Sequence, residues 1–340
     1  MKVLSRLIFA SLICPLSISL CGCAQDQSTK TTRLLMGTFV SIEAFDPDLS
    51  KKDLADKVEM AFGEMAHIES LMSPVRSESD VYRINRSART RRIPVEPYTA
   101  EVLKKALEIY SVSDGAFDVT IGPMVDLWKT SGKRGRLAKS SVIEKSLKGV
   151  GSDGFMLEQD DSIVLLRRRD LEIDLGGLAK GFAVDKAAGF LKEEGIKSAL
   201  IDAGGDIRCI GKNKKGEPWS VGVRDPQDRT QVLAVLSLQD ESVATSGDYE
   251  RYFTIDGKVY SHIIDPRSGR PVDNNVKSST IVAKDCMTAD GLATATFVLG
   301  PEKGIKLIES MDGVECLMVV EDGDEMRSIC SSGFASKLNR

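Results

Sequence analysis

The sequence CMTADGLATATFVLG at residues 286–300 predicts a helix, which follows a strand predicted at residues 279–284. Thr288 is a candidate N-cap of this helix, because its hydroxyl can accept a hydrogen bond from a free N–H group of the first turn. Gly300 followed by Pro301 predicts the end of the helix.

Asp290 and Thr294 are four residues apart in this helix and therefore lie on one face. A carboxylate beside a hydroxyl forms half of a site for a hard cation, because Mg²⁺ prefers oxygen ligands and usually keeps room for water and a substrate phosphate. A structural interpretation is also open, in which Asp290 complements the helix dipole and Thr294 packs by its methyl group. The helix alone does not decide between the two.

The beginning of the chain resembles a bacterial export signal. Positive charges in residues 1–6 precede an apolar stretch at residues 7–20, which is too short to span a bilayer as a mature helix. The sequence LCGC at residues 20–23 resembles a lipoprotein processing site with Cys23 as the lipidated residue, and an ordinary signal peptide cut nearby is the alternative. We therefore expect a signal peptide at residues 1–22 and a polar tether at residues 23–32. Residues 33–340 are expected to form a domain, either undivided or in two lobes. The lipid would anchor the protein to a bacterial membrane, facing the periplasm or the cell exterior.

Charge and cysteine content exclude some classes of function. The formal net charge of −4 gives no reason to expect nucleic acid as a partner. Four cysteines follow the leader without a C-x-x-C pattern, so a zinc cluster is not expected. Cys316 and Cys330 lie in two predicted strands that flank a turn, and either a disulfide between them or unpaired thiols fits the sequence.

The chain has two histidines, too few for a metal centre built from several imidazoles. His67 lies in a helical pattern and is expected near the surface. His262 follows a strand-like run and precedes the turn at residues 265–271, a position where loops often carry functional side chains. A structural role, in which the imidazole bonds the backbone of the turn, is equally open.

A second motif, LEIDLGGLAKGFA at residues 171–183, predicts a strand that becomes a helix through Gly176 and Gly177. Two glycines at the start of a helix allow backbone N–H groups to approach an anion closely. Lys180 falls in the first turn, where a cation opposes the helix dipole unless an anion or a carboxylate lies beside it. An ordinary strand-to-helix turn is the alternative.

Strand-like segments joined by turns recur along the chain, and helical patterns occur at residues 52–71 and 99–113. This arrangement predicts an α+β fold with a largely antiparallel sheet and packed helices. Gly37 interrupts the first strand pattern, which indicates a bulge or a close approach to the backbone.

Seven motifs follow the leader in a fixed order. They are MGT at 36–38, DGAFD at 114–118, DLGGLAKG at 174–181, DAGGD at 202–206, ATSG at 244–247, HIIDPRSG at 262–269 and TADGLATATFVLG at 288–300. Together they resemble the ApbE family of FAD:protein FMN transferases, and the resemblance covers nearly the whole chain after the leader. It implies an α+β fold related to the T-fold.

The resemblance also implies the chemistry. A flavin transferase of this family binds FAD and Mg²⁺ and moves the FMN moiety onto a Thr or Ser hydroxyl of an exported target protein, releasing AMP. The family's targets are subunits of membrane redox pumps of the Nqr and Rnf type. Some members instead hydrolyse FAD to FMN and AMP.

By position, the resemblance places Mg²⁺ on the backbone oxygen of Gly177 and the side chains of Asp290 and Thr294. Asp290 would also help to position the nucleophilic hydroxyl, and His262 is the candidate general base. Lys180 would lie near the phosphates or the flavin. The residues expected to line the FAD pocket are Met36, Ala116, Phe117, Asp118 and Asp174, with Ile264 close by.

The chain departs from the family pattern at two positions. Many relatives have a Tyr where this chain has Val75, and some have a second Asp where it has Ala293. Val75 keeps open an alternative function as an FAD pyrophosphatase, and Ala293 leaves the number of metal ions open. A third hypothesis is a lipid-anchored flavin-binding protein without turnover, against which Asp290, Thr294 and Lys180 argue, because simple binding needs no metal at a pyrophosphate.

Overall fold

The computed structural model describes residues 27–87, 92–168, 171–249, 252–323 and 325–339. The predicted signal peptide, the lipidation site Cys23 and the first part of the tether lie outside these residues. Within the described ranges, no helix combines the length and the apolar character that crossing a membrane requires.

Short strands and seven α-helices alternate along the described chain. The α-helices are α1 (Lys51–Met72), α2 (Asp80–Ser87), α3 (Pro97–Val112), α4 (Gly122–Arg134), α5 (Ser140–Leu147), α6 (Ala179–Glu193) and α7 (Cys286–Glu309). The strands are β1 (Ser28–Leu35), β2 (Thr38–Phe45), β3 (Arg92–Pro94), β4 (Phe155–Glu158), β5 (Ile163–Leu166), β6 (Ser198–Ala203), β7 (Asp206–Ile210), β8 (Trp219–Arg224), β9 (Val232–Leu238), β10 (Ser242–Gly247), β11 (Tyr252–Ile255), β12 (Lys258–Ser261), β13 (Ile264–Asp265), β14 (Arg270–Pro271), β15 (Val276–Ala283), β16 (Glu315–Asp322) and β17 (Glu325–Cys330).

An eight-stranded antiparallel sheet organises the fold, in the order β1-β2-β6-β7-β10-β15-β16-β17. Helices α1, α6 and α7 pack on one face of it, and the β8–β9 hairpin packs on the other. The predicted α+β architecture with a largely antiparallel sheet is confirmed.

The alternation of β2 and the periodicity of α1 explain how this core forms. In β2, Val40, Ile42 and Ala44 are buried towards the helices, because every second side chain of a strand points to the same face. Helix α1 begins at the N-cap Ser50, whose side chain accepts from the N–H of Asp53 at 3.1 Å. The apolar side chains that α1 buries recur at helical spacing: Leu54, Val58, Ala61, Phe62, Met65, Ile68 and Met72.

The first hairpin differs from its prediction in two ways. Strand β1 begins at Ser28, so residues 28–32 of the predicted tether belong to the sheet and pair with β2. Gly37 does not form a bulge, because Met36 and Gly37 are the two residues of a tight turn between β1 and β2. Their φ angles of 52° and 72° are both positive, as a two-residue hairpin turn of type I′ requires.

Helix α7 starts earlier than expected. Its N-cap is Asp285 and not Thr288, because the Asp285 carboxylate accepts from the N–H of Thr288 at 2.8 Å. The predicted end at Gly300 is a break in the helix, with φ 78° and ψ 178° at that residue. Helical geometry resumes after it, because Pro301 fits the first turn of a helix, where its missing N–H is not needed.

The strand predicted before Gly176 does not form. The segment at residues 171–175 is extended but makes a single bridge, between Glu172 and Ile121. The reason is a side chain that takes the place of a neighbouring strand: the Asn85 amide accepts from the N–H of Ile173 at 2.7 Å and donates to its carbonyl at 2.9 Å.

Cys316 and Cys330 are free thiols, so the disulfide that the sequence left open is not formed. Cys330 pairs in register with Leu317, which places the side chain of the adjacent Cys316 on the opposite face of the sheet. Cys316 is buried under α7, where its sulfur lies 3.7 Å from the hydroxyl of Ser279.

Two glycines of α6 should respond in opposite ways to substitution by alanine. A Cβ at Gly181 would lie 2.5 Å from the carbonyl oxygen of Cys286, whereas a Cβ at Gly189 would meet nothing within 4 Å. We expect Gly181→Ala to lower the free energy of unfolding by about 2 kcal/mol, because backbone cannot move aside as a side chain can. Gly189→Ala should raise it by up to about 1 kcal/mol, since alanine favours helix. Urea unfolding of both variants measures this, and equal shifts would contradict the close contact of α6 with α7.

Candidate active site

The helices α6 and α7 and the strand β7 bring three charged side chains together. Lys180, in the first turn of α6, forms an ion pair with Asp206 at the start of β7. Its Nζ also lies 3.2 Å from Oδ2 of Asp290 in α7. The N–H of Gly181 donates to the same Asp290 oxygen at 3.3 Å. The cation at the start of α6 therefore has the carboxylate neighbours that its position required.

The cluster pairs a half-buried lysine with two buried carboxyl groups. The side chains of Asp206 and Asp290 are 6% and 7% exposed. Burial alone would lower the pKa of Lys180, but the facing carboxylates Asp206 and Asp290 raise that pKa above its ordinary value. Burial and the charge of Asp290 raise the pKa of Asp206, and Lys180 opposes this effect. A further cation placed beside these groups would favour the ionised form of Asp206.

Thr294 lies one helical turn beyond Asp290, on the same face of α7. Its hydroxyl is 3.1 Å from the hydroxyl of Ser246 in β10. A Cβ at Gly177 would lie 3.7 Å from the Thr294 hydroxyl and 3.0 Å from the ring of Phe117. Gly177 therefore lies close to both the aromatic ring of Phe117 and the hydroxyl of Thr294, and its assignment as a metal ligand stays a prediction.

Asp118 fixes the loop that carries Ala116 and Phe117. Its Oδ1 accepts from the N–H and the hydroxyl of Thr120 at 2.8 and 2.6 Å, and from the hydroxyl of Ser152 at 2.7 Å. Its Oδ2 accepts from the N–H of Ser152 at 3.0 Å. The carboxylate is buried and its bonds lie within the protein, so its contribution is to hold this loop in place.

Asp174 joins that loop to the glycine turn before α6. The N–H of Asp174 donates to the carbonyl of Val119 at 2.7 Å, and its Oδ1 accepts from the N–H of Gly176 at 2.8 Å. The N–H of Gly176 is therefore used within the turn, which leaves Gly177 as the glycine that faces Thr294.

Met36 lies in the β1–β2 turn, which packs against the turn between β6 and β7. The N–H of Gly204 in that second turn donates to the carbonyl of Phe39 at 3.1 Å, and a Cβ at Gly204 would collide with the side chain of Thr38. Asp206 begins the next strand. The turn that carries Met36 therefore lies beside the turn that precedes Asp206, and the role of Met36 in the FAD pocket stays a prediction.

The remaining predicted residues lie on neighbouring segments. His262 is half-buried directly after β12, and Ile264 is buried in a small cluster with Met124, Trp128, Ile143 and Ile255. Val75 lies in the loop after α1 with 82% of its side chain exposed. The assignment of His262 as a base and of Ile264 as a pocket residue stays a prediction.

The sequence analysis missed two residues of this site, Asp206 and Ser246. Both lie inside motifs that were recognised, DAGGD and ATSG, but neither has a spacing that places it near α7. The cation at the start of α6 indicated a carboxylate partner. Only the pairing of β6 with β7 shows that this partner includes Asp206.

Comparison with known proteins agrees with this geometry. The model of the ApbE family matches residues 36–318. The chain belongs to the ApbE family. Among its relatives, the FAD:protein FMN transferase of Vibrio cholerae is 35% identical over 288 residues, covering 81% of this chain and 83% of the relative. The Escherichia coli K12 protein of the same name is 31% identical over 323 residues, covering 93% and 91%.

Solved structures from the same family share the fold. The flavin transferase ApbE from Vibrio cholerae superposes with a TM-score of 0.81 at 31% identity, over 92% of this chain and 99% of that one. The ApbE protein from Thermotoga maritima superposes with a TM-score of 0.81 at 33% identity, over 92% and 100%. The ApbE resemblance predicted from the motifs is confirmed.

The donors at this ApbE site are suited to a hard cation. Asp290 and Thr294 offer oxygen atoms, and the carbonyl of Gly177 belongs to backbone beside Thr294. Among the described residues, no group of three or more His, Cys, Asp or Glu side chains forms a metal site. A cation here would therefore need hydroxyl, carbonyl and substrate oxygens to complete its coordination.

Removal of the Lys180 charge should destabilise the fold. In Lys180→Met the buried carboxylates of Asp206 and Asp290 lose their shared cation, and we expect a loss of about 3 kcal/mol in the free energy of unfolding. Lys180→Met combined with Asp206→Asn should recover part of this loss, because only one buried charge then remains. Urea unfolding at pH 7 measures both variants. A double variant no more stable than the single one would argue against the coupling of these charges.

Proposed function

We propose that this chain transfers the FMN moiety of FAD to a Thr or Ser hydroxyl of an exported target protein, with Mg²⁺ as cofactor and AMP as the other product. The observation that carries the proposal is the buried cluster of Lys180, Asp206 and Asp290 beside Thr294 and Gly177. The names of the relatives support the same reaction class. Targets of the Nqr and Rnf redox-pump type and a lipid anchor at Cys23 are part of the proposal.

The residues present fit Mg²⁺. Asp290 and Thr294 would bind it through side-chain oxygens and Gly177 through its carbonyl, and the Asp290 carboxylate would offset part of the charge of the ion. Ser246 would orient the Thr294 hydroxyl by its hydrogen bond. The ion, when bound, would offset the negative charge that develops on the pyrophosphate oxygens.

The reaction exchanges one phosphorus–oxygen bond for another. The acceptor hydroxyl oxygen attacks the phosphorus of the FMN half, and the bond from that phosphorus to the bridging oxygen breaks, so that AMP leaves with that oxygen. The hydroxyl proton must leave, and His262 is the candidate to accept it. Lys180 has three N–H donors, of which two face Asp206 and Asp290, so the third can donate to a phosphate oxygen.

Hydrolysis of FAD to FMN and AMP is the second candidate. The observation that favours it is the exposed aliphatic Val75, which replaces the aromatic residue of many relatives and offers no ring to cover a bound ligand. A flavin-binding protein without turnover is disfavoured, because simple binding needs no metal at a pyrophosphate, whereas Asp290 and Thr294 offer the oxygen ligands of a hard cation.

An incubation with FAD, Mg²⁺ and a protein that carries a Ser/Thr acceptor motif separates these functions. We expect the intact mass of the acceptor to increase by one FMN minus water, and EDTA to abolish the increase. Asp290→Asn should slow transfer by at least about 100-fold, because loss of a metal ligand exceeds the roughly 10–100-fold effects of residues behind the ligands.

The matched control is Asp273→Asn, at a carboxylate that is 89% exposed, and it should transfer at the normal rate. FMN and AMP without a mass increase would identify a pyrophosphatase. FAD that is bound but unchanged would leave the flavin-binding function and overturn the role of Asp290.

A further inference from the structure

Asp185, on α6, caps the beginning of α7. Its Oδ1 accepts from the N–H of Cys286 at 2.9 Å and its Oδ2 accepts from the N–H of Met287 at 2.8 Å. The next N–H, that of Thr288, donates to Asp285. The first three N–H groups of α7 are therefore bonded to two carboxylates, and one of these carboxylates belongs to a different helix.

A half-buried arginine holds the Asp185 carboxylate in place. Nη1 of Arg208 in β7 lies 3.2 Å from Oδ1 of Asp185, and the same nitrogen donates to the carbonyl of Lys284 and lies 3.3 Å from the hydroxyl of Ser242. Burial raises the pKa of Asp185 to about 6, with the two N–H groups and Arg208 acting in the opposite direction.

The contact between α6 and α7 has a second point, one helical turn from the first. Gly181 lies four residues before Asp185, and a Cβ there would be 2.5 Å from the carbonyl oxygen of Cys286 and 2.8 Å from Cα of Met287. Both points therefore meet the same two residues of α7. The Gly181 N–H continues this contact to Asp290, which lies one turn further along α7.

This double contact links the helix that carries Lys180 to the helix that carries Asp290. A rotation or slide of α7 on α6 would change the distance from Nζ of Lys180 to the Asp290 carboxylate and would move Thr294 relative to Gly177. The segment of α7 from Cys286 to Asp290 spans a single turn, which is too short to absorb such a movement.

We propose that Asp185 is a positioning residue, which fixes the start of α7 on α6 and so places the Asp290 and Thr294 oxygens for a divalent cation. The inference rests on the proposed function, because the cation is part of that proposal. Asp185 does not itself reach the cation or the substrate.

The test compares Asp185→Ala and Asp185→Asn with Asp285→Ala. Asp285→Ala is the matched control, because it removes a capping bond from the same turn of α7 without loosening the contact with α6. Asp185→Asn has the shape of the natural side chain and is the variant to use if Asp185→Ala does not fold.

Urea midpoints establish how far each variant is destabilised. Calorimetric titration with Mg²⁺ in the presence of FAD, without acceptor, gives the affinity, and the Mg²⁺ dependence of FMN transfer gives the concentration for half-maximal rate.

We expect both Asp185 variants to bind Mg²⁺ about 10-fold more weakly or worse, and to need correspondingly more Mg²⁺ for half-maximal transfer. Asp285→Ala should stay within about twofold of the unmodified protein at a similar urea midpoint, since its defect lies within α7 alone. Equal Mg²⁺ affinities for the Asp185 variants and Asp285→Ala would overturn the positioning role while leaving the proposed function intact. An unmodified protein that transfers FMN without Mg²⁺, or does not transfer it at all, would overturn the proposed function and with it this inference.

Discussion

The fold depends on a half-buried lysine held between two buried carboxylates. Removing Lys180, Asp206 and Asp290 from water has a large desolvation cost, which is offset only if the three groups meet at hydrogen-bonding distance. They come from α6, β7 and α7, so the ion pairs are correct only when the helical layer and the sheet are correctly assembled. A cluster of this kind contributes little to net stability compared with an apolar core of the same volume, but a misplaced helix would leave a charge buried without a partner.

Glycines make this convergence possible at the places where backbones meet. Gly181 lets α6 approach the backbone of α7, and Gly177 lets the turn before α6 pass between Phe117 and Thr294. Gly204 turns the chain from β6 into β7, with φ 68°, directly before Asp206. A side chain at Gly181 or Gly177 would crowd neighbouring atoms. A side chain at Gly204 would both collide with Thr38 and be strained by the positive φ angle.

The sequence predicts the sheet, the large helices and the position of Asp290 and Thr294 on one face of α7, because each of these follows from spacing within one segment. The residues at which helices begin, and the side chains that each segment contacts, were harder to predict. The N-cap of α7 was misassigned since Asp285 and Thr288 are both good capping residues, and the choice between them depends on where α7 meets Asp185. The prediction of a strand before Gly176 was wrong, because a single side chain, that of Asn85, takes the place of a neighbouring strand. Asp206 lies 26 residues from Lys180 in sequence, and only the register of β6 with β7 brings it to the ammonium group.

The first N–H groups of α7 are bonded to carboxylates, and this decides what α7 can contribute to the site. Helix N-termini commonly bind phosphate through their free N–H groups. Here Asp185 and Asp285 occupy those groups, so α7 contributes the oxygen atoms of Asp290 and Thr294 instead. Two of the carboxylates around α7 face cations, because Asp290 lies beside Lys180 and Asp185 lies beside Arg208. The proposed requirement for Mg²⁺ therefore rests on the oxygen ligands that α7 offers and not on its N-terminus.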